Sequence, residues 1–266
     1  MKIKYIIIFL FFLLLLNTSL FSQGGNRNDN ILYPQIPLPF YIGGEIGYSF
    51  LQEDVSFVAG ESNVPCVDFT TGKANGITLG VKGLMYLSPS IFVSPRLRFE
   101  DRSSKIIKEM PNEKVRGANN ELNDISTQFE VRSPIYSLTF DTNIGYEILE
   151  SGAYVFGGGS LGYLMGGKYN LFQVIKDDQF VYGLSGTNEI HLVKDGEFKE
   201  FNPISLDLRG GLGYMYALNN RMVINPEVFY HFPIQSILSS PFSLKQSGIF
   251  FNLGFQYNIN IDTFED

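Results

Sequence analysis

Charged side chains recur at alternate positions inside otherwise uncharged segments of this 266-residue chain: Glu45, Lys82, Arg96, Arg98, Asp141, Asp207, Arg209 and Glu227. Charges of opposite sign at this spacing can form buried ion pairs, carry a proton or ion, or gate a pore. Neighbouring strands would pair Glu45 with Lys82, Arg96 or Arg98 with Asp141, and Arg209 with Glu227. A charge removed from water is costly unless it is paired and hydrogen-bonded. A salt-bridged polar plug is therefore the simplest expectation for this cluster, and an ion or proton path the alternative.

Other reactive groups are sparse. His231 lies four residues after Glu227 on the same strand face, and His191 is the second of two histidines. A metal centre needs three or four ligands; no His/Cys cluster exists here, so neither a metal nor another cofactor is expected. A Ser–His–acid triad is assembled in space rather than in sequence. A rim enzyme acting on lipid therefore remains a third reading, with no catalytic residue assigned. Residues 158–162 match G-x-S-x-G around Ser160, but a nucleophile elbow needs a strand-to-helix turn, and this match falls mid-strand. Gly157-Gly158-Gly159 is followed by neither a helix nor Lys-Ser/Thr, so it is no phosphate loop. The single cysteine, Cys66, cannot form an internal disulfide; in an exported protein it is a free or intermolecular thiol. The formal charge of −7 argues against nucleic acid, which attracts a basic face.

The elements that must hold these charges alternate with period two. In 40–51, Ile42, Ile46, Tyr48 and Phe50 share one face and Glu45 and Ser49 the other. The pattern repeats in 77–87, 91–100, 136–147, 153–165, 204–216, 222–231 and 249–259. The apolar faces carry no charge, and every residue of the charge cluster falls on the opposite face. A charge facing lipid costs ~2–4 kcal/mol at the bilayer midplane, which would account for the contrast. The connections alternate too. Those at 88–90, 149–152 and 218–220 are tight, whereas 52–75, 102–134, 167–203 and 233–247 are long. Short periplasmic turns and long outer loops are the outer-membrane pattern.

The start of the chain fits that address. Lys2 and Lys4, an apolar run over 5–16 and Ser22 read as an export signal over 1–22, since the run is too short to span a bilayer as a helix. Residues 23–39 form a Pro-containing periplasmic arm, 40–261 the barrel and 262–266 a tail. Pro95 and Pro226 fall mid-strand and predict bulges, because proline gives a ladder no N–H. Lys194-Asp195-Gly196-Glu197 predicts a hairpin turn that carries the strands of the third long loop above the membrane.

The expected fold is all-β: an eight-stranded antiparallel transmembrane β-barrel, an up-and-down meander. With the signal ending at Phe21-Ser22-Gln23, the strand patterns Pro95-Arg96-Leu97 and Pro226-Glu227-Val228, and the aromatic terminal segment 249–259, the chain resembles the small outer-membrane β-barrel (porin-like, PorT-like) superfamily, similar in shape to the OmpA and OmpX barrels. It departs from them in ending on Phe264-Glu265-Asp266 rather than on the strand's aromatic. The resemblance implies the outer membrane of a Gram-negative-type bacterium and a non-enzymatic surface or structural role. A narrow porin or transport accessory is the alternative. The expected partners are outer-membrane lipid around a monomer and an extracellular protein or surface ligand on loops 102–134 and 167–203.

Overall fold

A computed structural model describes residues 39–59, 67–116, 121–148, 151–177, 179–182, 186–198, 200–219 and 221–259. The signal, the arm up to residue 38, Cys66 and the tail lie outside the described residues. The strands are β1 (Phe40–Ala59), β2 (Val67–Tyr86), β3 (Ile91–Asp101), β4 (Ser104–Glu109), β5 (Glu113–Arg116), β6 (Leu122–Ile125), β7 (Thr127–Ser133) and β8 (Tyr136–Glu147), followed by β9 (Ala153–Met165), β10 (Lys168–Ile175), β11 (Glu189–Glu197), β12 (Ile204–Tyr214), β13 (Tyr216–Ala217), β14 (Met222–Pro233) and β15 (Ser243–Asn258).

Eight of them close a barrel in the order β1, β2, β3, β8, β9, β12, β14 and β15. The last strand returns to the first in continuous antiparallel register from Tyr41↔Asn258 to Ser56↔Ser243. Closure leaves the wall no free edge, as a sheet in lipid requires. The wall is turned inside out relative to a soluble protein. Ile46 is 54% exposed and Leu253 50%, while Glu45 between the outward positions is 6% exposed. The alternation read from the sequence therefore separates a lipid face from a lumen face.

The two mid-strand prolines do not make bulges. The β2–β3 register is the same on both sides of Pro95, and the β14 register against β12 and β13 is the same on both sides of Pro226. In each case the preceding residue supplies the missing donor. The Ser94 hydroxyl donates to the Gly83 carbonyl at 2.9 Å, and the Asn225 amide donates to the Tyr214 carbonyl at 3.0 Å. The ladder skips a bond and keeps its register, so every lumen side chain stays on its face.

Beyond the barrel, at the end with the long connections, the sheet continues. At Gly72–Ala74, β2 exchanges β3 for β4; β4 pairs with β7, β7 with β10 and β10 with β11. The stretch after β11 reaches the segment before β15 through the Phe201↔Leu238 bridge and the Asn202 N–H to the Ile237 carbonyl, 2.8 Å. This upper storey wraps an apolar core of its own around Phe57, whose ring meets Phe69, Tyr169, Phe198 and Phe242 with centroids 5.1–6.2 Å apart. The segment read as loop 102–134 is thus largely strand, and 167–203 carries the strands β10 and β11 beyond the barrel, the extension expected of it. Asp195-Gly196 is not the hairpin turn. It lies inside β11 at a register shift opposite Tyr169 and Leu171, a bulge in which Asp195 takes φ 52°. Its N–H donates to Asn170 Oδ1.

Candidate functional site: a charged lumen between two apolar plugs

The structure places all eight residues of the sequence-derived charge cluster in the lumen, each nearly or fully buried. One expected neighbour-strand pair is present, Arg98 with Asp141 at 2.6 Å between β3 and β8; the other partners differ from that pairing. Glu227 on β14 is one hub. It takes two hydrogen bonds from Arg96 across the lumen, at 2.5 and 2.9 Å, one from Lys82 at 2.6 Å and one from the Tyr154 hydroxyl at 2.5 Å. Lys82 therefore goes to Glu227 and not to Glu45, and it also donates to Asn225. The second hub is Asp141 with Glu100. Arg209 donates to Asp141 at 2.9 Å and to Glu100 at 3.0 Å, and Arg98 reaches the same two carboxylates at 2.6 and 3.1 Å. Arg209 thus pairs with Asp141 and Glu100, not with Glu227. Glu45 lies between the hubs, 3.7 Å from both Arg96 and Arg98. The pairs Arg96–Glu227, Lys82–Glu227 and Arg209–Glu100 join non-adjacent strands across the lumen, a relation that strand order alone does not show.

Aromatic rings fill the space the charges leave. Phe229 and Phe250 stack with centroids 5.0 Å apart, and the Arg98 guanidinium lies 5.2 Å from the Phe229 centroid. The Arg96 guanidinium covers Phe156 at 5.1 Å. Guanidinium over an aromatic face is an attractive arrangement once both are out of water. Inward glycines make this packing possible: a Cβ at Gly213 would collide with the Tyr154 ring, and one at Gly145 with Phe92.

Two lumen residues, Glu53 and Arg102, lie beyond the strands read from sequence, and Glu100, on the inward face of 91–100, is not in the charge cluster. The signal was present, since Glu100 and Arg102 extend the parity of Arg96 and Arg98, and Glu53 that of Glu45. The strands were drawn too short to include the outermost of them. Arg102 meets the ring of His231 at 2.5 Å and Asp207 at 3.8 Å. Glu53 accepts hydrogen bonds from Ser104 at 2.6 Å and Gln246 at 2.8 Å. This tier touches the Phe57 core above. At the tight-turn end the lumen closes over Leu84, Phe92 and Tyr154, with Tyr41, Tyr86 and Met215 packed beside them. The Tyr86 hydroxyl donates to Glu147 at 2.9 Å. The charged middle is therefore sealed at both ends by apolar and aromatic side chains.

His231 is buried, not at an open rim. Its Nε2 is 3.4 Å from Asp207, beneath the apolar cap. Ser160 stands in mid-strand register with Asp141 on one side and Asp207 on the other. His191, the other histidine, lies outside the lumen, packed against Phe172 on the outer face of the upper storey with centroids 4.1 Å apart.

A closed antiparallel wall with an apolar exterior and an ion-paired interior defines an outer-membrane type of β-barrel. No family model matches the chain, and no curated relative matches it. Among solved structures it is similar to the outer membrane protein OprG from Pseudomonas aeruginosa, at 14% identity over 84% of this chain and 96% of that one, with a TM-score of 0.39. The outer membrane protease OmpT from Escherichia coli gives 8% over 84% and 97%, TM-score 0.37. The attachment invasion locus protein Ail of Yersinia pestis gives 15% over 81% and 98%, TM-score 0.30.

Proposed function

We propose that this chain is a non-conducting outer-membrane barrel of a Gram-negative-type bacterium whose work is done by its upper storey, facing out of the cell and binding a protein or surface ligand. The observation that supports this reading is the lumen: ion pairs occupy its middle and apolar plugs its two ends, so it offers neither a water path nor an accessible catalytic group. His231 and Asp207, the pair with catalytic chemistry, lie under the cap and are answered by Arg102. The binding surface we assign is the outer face of β4, β7, β10 and β11, the strands of the two long connections. Arg132 and His191 present themselves there over Phe172, which is only 6% exposed beneath them, with the Arg132 guanidinium 4.2 Å and the His191 ring 4.1 Å from its centroid. Arginine is among the residue types enriched as energetic anchors of protein contacts.

The test uses intact cells displaying the wild type or Arg132→Ala/His191→Ala, scored for adherence to immobilised extracellular glycoproteins and to sibling cells. Expression should confer adherence and the double variant should lose most of it. Expression that confers solute uptake and no adherence would contradict the proposal.

A further inference from the structure

Cations line up on one side of the wall just above the lipid face. On β2, β4 and β7, the positions pointing away from the core set Lys73, Lys105 and Arg132 side by side. Lys73 is the register partner of Lys105, and Lys105 that of Arg132. Like charges directly opposite one another destabilise a sheet, so the row is unfavourable unless something anionic answers it. Glu130 accepts Lys105 at 3.0 Å and Arg132 at 2.7 Å, and Glu189 accepts Arg132 at 2.9 Å. Lys73 has no ion-pair partner among the described residues. Asp54, one outward step higher on β1, stands in register with Lys245 and Thr71.

The height of this row matters as much as its charge. The outward residues of β1 run Ile46, Tyr48, Phe50 and then Gln52; Phe50 is level with Asn75, and Gln52 with Lys73. Lys73 thus stands one outward position, about 7 Å along the strand, past the last lipid-facing aromatic. That is the depth of head groups rather than acyl chains. A surface groove opens there, lined among others by Phe50, Gln52, Lys73, Asn75, Lys105 and Ile107. Its foot is apolar at Phe50, its middle carries Gln52, Lys73 and Lys105, and Thr71 and Ile107 stand above them.

We propose that this groove binds the phosphate-bearing head group of an outer-leaflet lipid, with Lys73 and Lys105 on the phosphate and an acyl chain against Phe50. The groove straddles the point where β2 leaves β3 for β4, so a bound lipid would brace the root of the upper storey as well as neutralise the row. The inference depends on the membrane placement of the barrel and not on the adherence reading.

The test takes the full chain folded in phosphatidylcholine nanodiscs and titrates in bisphosphorylated lipid A. Retained lipid is read by native mass spectrometry, and protection by the temperature at which the unfolded band appears on a gel. Wild type should retain lipid A and unfold at a higher temperature. Lys73→Gln/Lys105→Gln should bind about thirtyfold more weakly, and Lys73→Gln alone about fivefold, at roughly one lysine's worth of surface attraction each. The single variant removes no ion pair and so carries the test if the double variant fails to fold. Lys194→Gln, on β11, should bind as wild type. Equal retention by wild type and Lys73→Gln would overturn the proposal, as would full protection by inorganic phosphate alone.

Discussion

Glu227 shows how the lumen bears so many charges. Arg96, Lys82 and Tyr154 all donate to it, so both of its oxygens are occupied in a fully buried setting. Glu227→Ala would leave Lys82 and Arg96 without their shared partner. Breaking a buried pair in this way typically costs ~3–5 kcal/mol. Glu45 touches its arginines only at 3.7 Å, so Glu45→Ala should cost clearly less. Urea unfolding of the two variants in lipid vesicles checks this; equal losses would refute the ranking. A second residue-scale prediction concerns Glu130, outside the membrane. Burial opposes its ionisation, but hydrogen bonds from Arg132 and Lys105 outweigh that and hold its carboxyl below the ordinary value of 4.5. A carboxylate held low contributes stability that is complete above the ordinary value and is lost as pH falls through the lowered one. Wild type should therefore exceed Glu130→Gln in thermal stability at neutral pH, and the gap should close on acidification. A gap that widens with acid would contradict the sign.

At the scale of elements, the lipid face is the most demanding constraint. Leu253→Arg, mid-belt on β15, should impair insertion by ~2–4 kcal/mol, whereas Gln52→Arg, outward but above the belt, should cost little. Folding yield in vesicles, read by heat-modifiable gel mobility, separates the two; equal yields would mean that the faces are misassigned. That constraint is also why the eight barrel strands were legible in the sequence. Lipid excludes charge from every outward position, so Ile46, Leu79 and Leu253 mark their face without exception. The upper storey is under no such rule. Outward positions on β4 and β7 hold Lys105, Ile107 and Glu130, a mixture that reads as loop. Asp195-Gly196 carries the turn signal because a bulge and a turn both ask for φ > 0. Pro95 and Pro226 misled for a different reason: the compensating donors are the side chains of Ser94 and Asn225, which have no pattern of their own. The Phe57 core gives the upper storey independent cohesion, so Phe57→Ala should cost ~3–5 kcal/mol there. Limited proteolysis of that variant in vesicles should cut the upper storey and spare the barrel strands, whereas cleavage through both together would show one cooperative unit.

For the whole molecule, the proposed reading makes the charged lumen a core rather than a passage. An eight-stranded barrel has an interior just wide enough for its side chains to fill, and here the middle is filled by hydrogen-bonded ion pairs, the tight-turn end by aromatics and the other end by the Phe57 core. The eight lumen charges and the adjacent-strand pair Arg98–Asp141 could be identified from parity, but not the remaining partners, since Arg96 to Glu227 and Arg209 to Glu100 are contacts across the bore. On the proposed reading, a closed bore leaves the lipid-facing wall and the upper storey as the surfaces through which the protein would act. The direct measurement is single-channel current in planar bilayers, comparing wild type with Arg96→Ala, which uncovers Glu227 and Glu45. Wild type should be silent at all voltages, and Arg96→Ala should show intermittent small leaks as water enters a network that has lost its central cation. A large, steady conductance in the wild type would contradict the closed lumen.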